Sequence, residues 1–457
     1  MSLYVAVDFG STFTKAIAVD AGSGDLVARA EHRTTVDTDV MDGWQACRTA
    51  LLSADAGVAK AEVLACSSAG GGLRIAVVGN EELVTAEAGR RVALSSGGRV
   101  VAVVNGGLTA TSLKALRAER PDVVLLLGGT DGGNSAVLTK AAAVLAKYRW
   151  RRPVVAAGNV EVQAELAELL AGADVPHVFA ANVVPEIGVF APDSARAAIR
   201  EMFLAHVIGG KNLSRDPGFA RMVRAATPDV VLRGVEVLAG LHGDVAVVDI
   251  GGATTDVHSV IELDPEDANL GREVVATHPV TRTVEGDLGM RWSAVPVVAA
   301  GVEAGLLPED DTALAGAAKR RHDDPSYLPA DATEASYDET LARVAATVAL
   351  RRHAGRQRVV FGPGGRVIER SGKDLREVDL LVGSGGVLRH NGPEVAARIL
   401  GGVAAGAQEE GWLVPSNART CVDSDYVLAG VGLLADLDPA AAQGLAAHIH
   451  GSVSAGH

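Results

Sequence analysis

Two stretches of this chain share one hydrophobic rhythm. In VAVDFGSTFTKAIAV (5–19) and VAVVDIGGATTDVHSV (245–260), an aliphatic run ends in Asp, passes through Gly and hydroxyl residues, and resumes as a second aliphatic run. β-Branched runs broken by a Gly, Ser and Thr cluster predict a tight hairpin at each place, with an acidic residue at its mouth.

Further correspondences follow in the same order. TPDVVLRGVEVLAG (227–240) and DSDYVLAGVGLLAD (423–436) match at Asp229/Asp425, Val231/Val427, Leu232/Leu428, Gly234/Gly430, Val235/Val431, Leu238/Leu434 and Ala239/Ala435. Each reads as a helix opened by Asp, which suits the dipole, with a mid-helix Gly that permits a close crossing. PDVVLLLGGTDGG (121–133) and VDLLVGSGGVLRH (378–390) each read as a buried strand entering a Gly pair. The expectation is two related lobes, residues 1–240 and 241–457, with a ligand cleft between them and hinge closure about the helix pair. The first lobe carries an α/β elaboration over about 60–206. There, from Asp122 to about His206, apolar strands alternate with helical stretches in a βαβαβα pattern that predicts parallel strands. GGKNLSRDPGF (209–219) reads as a loop, and 303–340 as a polar surface excursion between helices.

Composition narrows the partners. With 457 residues the chain exceeds what one core usually supports. Its 42 Lys and Arg against 56 Asp and Glu give a net charge of −14. With no long basic run, nucleic acid and anionic membranes are excluded as main partners. Apolar residues make up 48%, yet stretches such as VVLLL (123–127) fall far short of the roughly 20 residues a membrane helix needs. No basic and apolar leader precedes Tyr4, so a cytoplasmic location is expected. Cys47, Cys66 and Cys421 lack metal-ligand spacing and read as small buried residues.

The chemistry therefore rests on the hairpin mouths. Turn amides and hydroxyls bind anions, and paired carboxylates hold a hydrated Mg²⁺, so a nucleotide triphosphate, ATP, is the expected ligand. Asp8 and Asp249 are the candidate Mg²⁺ residues; the alternative is an Asp that stabilises its own turn. Gly10, Ser11, Thr12 and Phe13 would form one phosphate turn, and Gly251, Gly252, Ala253, Thr254 and Thr255 the other. Lys15 could neutralise the β- or γ-phosphate or be an exposed strand lysine. Asp256 could orient the attacking water or serve as a strand-end acceptor. The His residues show no ligand pairing, and no nucleophile–base set is arranged convincingly, so water is the expected nucleophile.

These motifs resemble the actin, Hsp70 and sugar-kinase ATPase superfamily. DFGSTFTK (8–15) is similar to its first phosphate motif, DIGGATTD (249–256) to its second, and DLLVGSGGVLRH (379–390) to its adenosine motif, while 227–240 and 423–436 resemble its connecting helices. The fold implied is two duplicated ribonuclease H-like lobes with a nucleotide cleft. On that resemblance Gly383, Ser384, Gly385 and Gly386 would face adenosine. Arg389 would stack on the base, or be a surface Arg opening a helix. Gly286 would border the nucleotide, with Glu285 and Asp287 as alternative helix caps; Asp229 and Asp425 are left without a catalytic role. The strings CSSAGGGLRIAVVG (66–79), LLLGGTDGGN (125–134), AAGN (156–159), NVVPEIG (182–188) and TRTVEGDLGMRWS (281–293) resemble the glutamate mutase (methylaspartate mutase) accessory proteins of the MutL type. That resemblance implies an ATP-hydrolysing chaperone that reactivates an adenosylcobalamin-dependent mutase, the cobalamin belonging to the partner, with a homodimer left open. A small-molecule kinase, an electron-feeding dehydratase activator and an actin-like scaffold are the alternatives.

Overall fold

The computed structural model describes residues 2–263, 278–362, 365–407 and 409–450. Contacts gather the chain into two compact units, one formed up to Arg233 together with Ala429–Ala442, the other chiefly from Gly234 to Leu428. The division thus falls inside the helix Thr227–His242, ahead of the expected 240/241, and Ala429–Ala442 is grouped with the first unit.

In the first unit, β1 (Leu3–Phe9), β2 (Phe13–Asp20) and β3 (Leu26–Arg33) form an antiparallel meander, and β4 (Glu62–Ser67) lies parallel to β1. Val5, Val7 and Phe9, at alternate positions of β1, enter one core with Trp44 and Leu51 of the helix Val40–Ala54. That helix starts where the Asp39 carboxylate accepts from the Met41 N–H at 2.9 Å.

An inserted parallel sheet follows: β5 (Leu73–Val78), β6 (Gly98–Val104), β7 (Val123–Leu126), β8 (Val154–Ala156) and β9 (His177–Phe179), in the order β6-β5-β7-β8-β9. Both faces are covered, which is why its strands read as unbroken apolar runs. Leu125 packs with Ala88, Val92 and Ile199 on one side; Val124 and Leu126 pack with Leu113, Leu138 and Leu166 on the other. Each such side chain contributes roughly 1.5–3 kcal/mol. The sheet begins at Leu73, well ahead of the βαβαβα stretch read from Asp122. β10 (Val223–Ala226) then pairs with β4 and completes the first sheet as β10-β4-β1-β2-β3.

The second unit repeats that sheet. β11 (Val245–Ile250), β12 (Thr255–Val260) and β13 (Val280–Glu285) form the meander; after the separate hairpin of β14 (Arg356–Gly362) and β15 (Gly365–Ser371), β16 (Leu380–Ser384) lies parallel to β11, and β17 (Arg419–Val422) parallel to β16. The order β13-β12-β11-β16-β17 matches the first sheet strand for strand and direction for direction.

Several expectations are corrected. The counterpart of β16 is β4 with Gly70–Gly72, because each lies parallel to the first hairpin strand of its unit; 121–133 belongs to the inserted sheet. The helix expected over 423–436 spans only Leu428–Leu434, since Tyr426 adopts φ +57° and the chain turns there. Asp423, not Asp425, caps it, accepting from the N–H groups of Val427 at 2.7 Å and Leu428 at 3.2 Å. The 303–340 segment is largely helical and holds a fully buried Arg321 paired with Asp338 at 2.5 Å and Glu334 at 3.0 Å.

On the face of β12 covered by the helix Ala332–His353, His353 Nε2 lies 2.8 Å from Ser259 Oγ and Nδ1 lies 2.9 Å from Thr283 Oγ1. Burial, then the Lys373 charge, holds His353 well below its ordinary value; burial, then Arg282, does the same for His258. Both are neutral when folded, whereas the unfolded chain takes up two protons near pH 6.5. Their contribution is therefore complete above that pH and falls by up to ~1.4 kcal/mol per pH unit per histidine below it. Urea midpoints at pH 7.5, 6.5 and 5.5 check this: the wild type should lose stability across the lower interval, and His353→Gln should show about half that loss.

Candidate phosphate-binding turns

The two hairpin turns have one construction. Gly10 N–H donates to Phe13 O at 3.1 Å, and Gly251 N–H to Thr254 O at 2.9 Å. Gly is required at both: an added Cβ would stand 2.6 Å from Phe13 O in the first turn and 2.9 Å from Thr254 O in the second. Most of the other carbonyls are engaged as well. In the first turn Gly10 O accepts from Thr34 Oγ1 at 2.8 Å and Thr12 O from Thr34 N–H at 2.8 Å. In the second, Gly251 O accepts from Met290 N–H at 2.9 Å, Gly252 O from Arg291 N–H at 2.7 Å, and Ala253 O from Ser293 Oγ at 2.7 Å. The amides of Ser11, Thr12, Gly252, Ala253 and Thr254 have no partner among the described residues. Successive unpaired N–H groups beside committed carbonyls make a concavity of positive potential suited to phosphate oxygens.

Register places the charged candidates. Asp8 opposes Lys15 across β1 and β2, and Lys15 also opposes Glu31 on β3, so the lysine stands between two acids. Asp249 opposes Asp256 across β11 and β12 in the equivalent positions. Directly opposed residues share a sheet face. Asp8 is buried; its Oδ1 accepts from Thr227 Oγ1 at 2.5 Å and from Cys66 Sγ at 3.5 Å, while Oδ2 lies on the Gly10 side. Burial and the Asp8 charge push the Cys66 thiol well up, so it stays protonated. Asp249 is half-buried and registers with Ser384 on β16. Asp256 Oδ2 accepts from the buried Arg282 at 2.9 Å, and its buried Oδ1 has no hydrogen-bond partner among the described residues.

In the second unit only some of the other candidates lie beside the turn. Gly385, at φ +103°, packs so tightly on β11 that an added Cβ would meet Ile250 O at 2.2 Å, and Gly386 is exposed beside it. Gly383 is closed over by Leu388 and Leu400, which places it in the core of the strand. Gly286 is joined to the turn by Ser293, whose Oγ reaches both Gly286 O at 2.9 Å and Ala253 O at 2.7 Å. Glu285 and Asp287 cap no helix; both bind Arg352, at 2.9 and 2.7 Å, and that contact holds the Asp287 carboxyl low. Arg389 ends the helix Gly386–Arg389, donating to Ser424 O at 3.3 Å and lying 5.3 Å over the Tyr426 ring. Asp229, in the first unit, is held by Arg200 at 2.7 and 3.1 Å, a stronger tie than helix-start chemistry alone.

The MutL protein family matches this chain over residues 4–449, a span that contains both turns. The chain belongs to the MutL family. Protein MutL of Clostridium tetanomorphum is 34% identical over 448 residues, covering 95% of this chain and 96% of that protein. Among solved structures, nucleotide-free acetone carboxylase aligns with 15% identity and a TM-score of 0.43 over 95% of this chain and 70% of its own. The activator of 2-hydroxyisocaproyl-CoA dehydratase from Clostridium difficile with bound ADPNP aligns with 9% identity and a TM-score of 0.27 over 100% and 99%. Structural similarity of that degree carries no argument about function.

Four residues of this MutL-family chain escaped the sequence reading: Thr227, Arg282, Trp292 and Ser293. Trp292 is exposed and lies against Gly252, where an added Cβ would sit 3.1 Å from its Cζ3. WS at the end of TRTVEGDLGMRWS was a usable signal, because a hydroxyl just before an apolar helix reads as a cap. Ser293 instead spends its hydroxyl on the turn. Ser293→Ala removes the one hydroxyl proton that Ala253 O and Gly286 O share and should lower stability by about 1–3 kcal/mol, read from the urea midpoint.

Proposed function

We propose that this MutL-family chain is an ATP-binding and ATP-hydrolysing accessory protein that reactivates an adenosylcobalamin-dependent mutase such as glutamate mutase. The observation that supports it most is the pair of equivalent turns, each with unpaired amides and an Asp three residues before its first open amide. A single turn of this kind is common; two at matching positions of matching sheets repeat one oxyanion-binding construction in each unit.

The residues present fit a magnesium nucleotide. Asp8 and Asp249 supply hard oxygen ligands suited to a metal that keeps part of its water shell, and bound Mg²⁺ would neutralise phosphate charge. Turn amides hold the phosphate oxygens. Asp256 orients the attacking water through Oδ1 while Arg282 fixes Oδ2. Gly385 and Gly386 offer a backbone surface to the adenosine. The ordering of both turns on phosphate then carries ATP occupancy to the partner-facing surface, and the cobalamin stays with the mutase.

Purified chain should turn over ATP with Mg²⁺ and restore activity to a glutamate mutase carrying inactivated cobalamin. Asp8→Ala and Asp249→Ala should each lower turnover about 100-fold while remaining folded, and the double variant should lose little more. Phosphorylation of a small acceptor without mutase recovery would establish the kinase alternative, and unchanged turnover in both single variants would remove the metal assignment.

A further inference from the structure

The loops at the carboxyl ends of β7, β8 and β9 are stitched together by Asp131. Its N–H donates to Pro185 O at 3.0 Å, while Oδ1 accepts from Val160 N–H at 3.1 Å and from Asn182 Nδ2 at 2.9 Å. Asn182 is buried and also donates to Gly129 O at 3.0 Å, and buried Asn159 donates to Gly133 O at 3.2 Å. The NVVPEIG loop closes on itself through Ala191 N–H to Val183 O at 2.8 Å and Val189 N–H to Glu186 O at 3.1 Å. The Phe190 ring braces it, edge-on to His278 at 5.5 Å.

From this frame Ile187 projects with 84% of its surface exposed; Val189 of the same loop and Val160 of the loop after β8 are 43% and 40% exposed. A large apolar side chain held out by a hydrogen-bonded loop has already lost most of its backbone freedom. Docking it therefore costs little further ordering, which is the property of an interface anchor. Nothing in the phosphate turns uses it.

Charge selects the occupant. Segments 129–134, 158–162 and 181–191 contain Asp131, Glu161 and Glu186, all exposed, and no Lys, Arg or His. Nucleic acid and anionic lipid are repelled by such a surface. A second copy presenting the same patch would set like charges together. A protein with an apolar socket rimmed by Lys or Arg is complementary in both respects.

We propose that this loop cluster is a docking element for a partner protein, with Ile187 filling an apolar socket whose basic rim meets Asp131, Glu161 and Glu186. The inference rests on the accessory-protein reading and names the face of the chain that meets the mutase. The test is binding of the full chain to immobilised adenosylcobalamin-dependent glutamate mutase, with ATP turnover measured alongside. Ile187→Asp should weaken binding by about tenfold or more, and paired Glu161→Lys and Glu186→Lys should weaken it and flatten its salt dependence, with turnover unchanged. Affinities within about twofold of wild type for both variants would overturn the docking face and leave the accessory reading standing. Absence of binding by the wild type would overturn both. Self-association that Ile187→Asp abolishes would put a second copy on this patch and equally overturn the proposal.

Discussion

A backbone turn binds an oxyanion better the more of its carbonyls are engaged elsewhere, because an unengaged carbonyl oxygen at the mouth repels the ligand that the amides attract. The second hairpin turn meets that condition at every carbonyl from Gly251 to Thr254, and the first at Gly10, Thr12 and Phe13. In the first unit one threonine, Thr34, serves two carbonyls; in the second the segment Met290–Ser293 serves three in succession. The requirement accounts for Gly10 and Gly251, and for the positions of Thr34 and Ser293 beside the turns. Without those ties the same sequences would still make hairpins, but with carbonyls and amides mixed at the mouth.

Around each turn the chain builds the same five-stranded sheet, and its register decides which side chain stands beside the phosphate turn. Equivalent positions carry Lys15 in one unit and Asp256 in the other, so one scaffold sets opposite charges against the conserved geometry of Asp8 and Asp249. The inserted parallel sheet is a separate construction. Its order reverses at β5, its two faces are buried by helices, and its carboxyl-end loops are acidic with an exposed apolar tip. In the accessory-protein reading proposed above, the duplicated sheets would carry the nucleotide chemistry and the insertion the recognition of the partner.

Local pattern made the hairpins, the helix at Thr227 and the α/β character of the insertion legible, because alternation and Gly placement act within a few residues. Long-range partnership was not legible in the same way. LLLGG and LLVGSGG look alike as strings, yet one lies in the insertion and the other beside β11, since a buried strand does not encode its neighbours. Asp425, matched to Asp229 as the helix opener, is displaced by the left-handed backbone at Tyr426, and Asp423 takes the cap. Arg321 looked like surface charge because its partners, Glu334 and Asp338, lie on another helix. At the site, both acidic turns stood out, whereas Thr227, Arg282 and Ser293 act through contacts tens of residues away in sequence or more.

The most direct test of the central claim reads the turn amides themselves. Hydrogen–deuterium exchange of the peptides covering 8–15 and 249–256 should slow in both when magnesium ATP is added, because N–H groups with no partner among the described residues would donate to phosphate. Exchange that stays unchanged in both peptides at saturating nucleotide would contradict it.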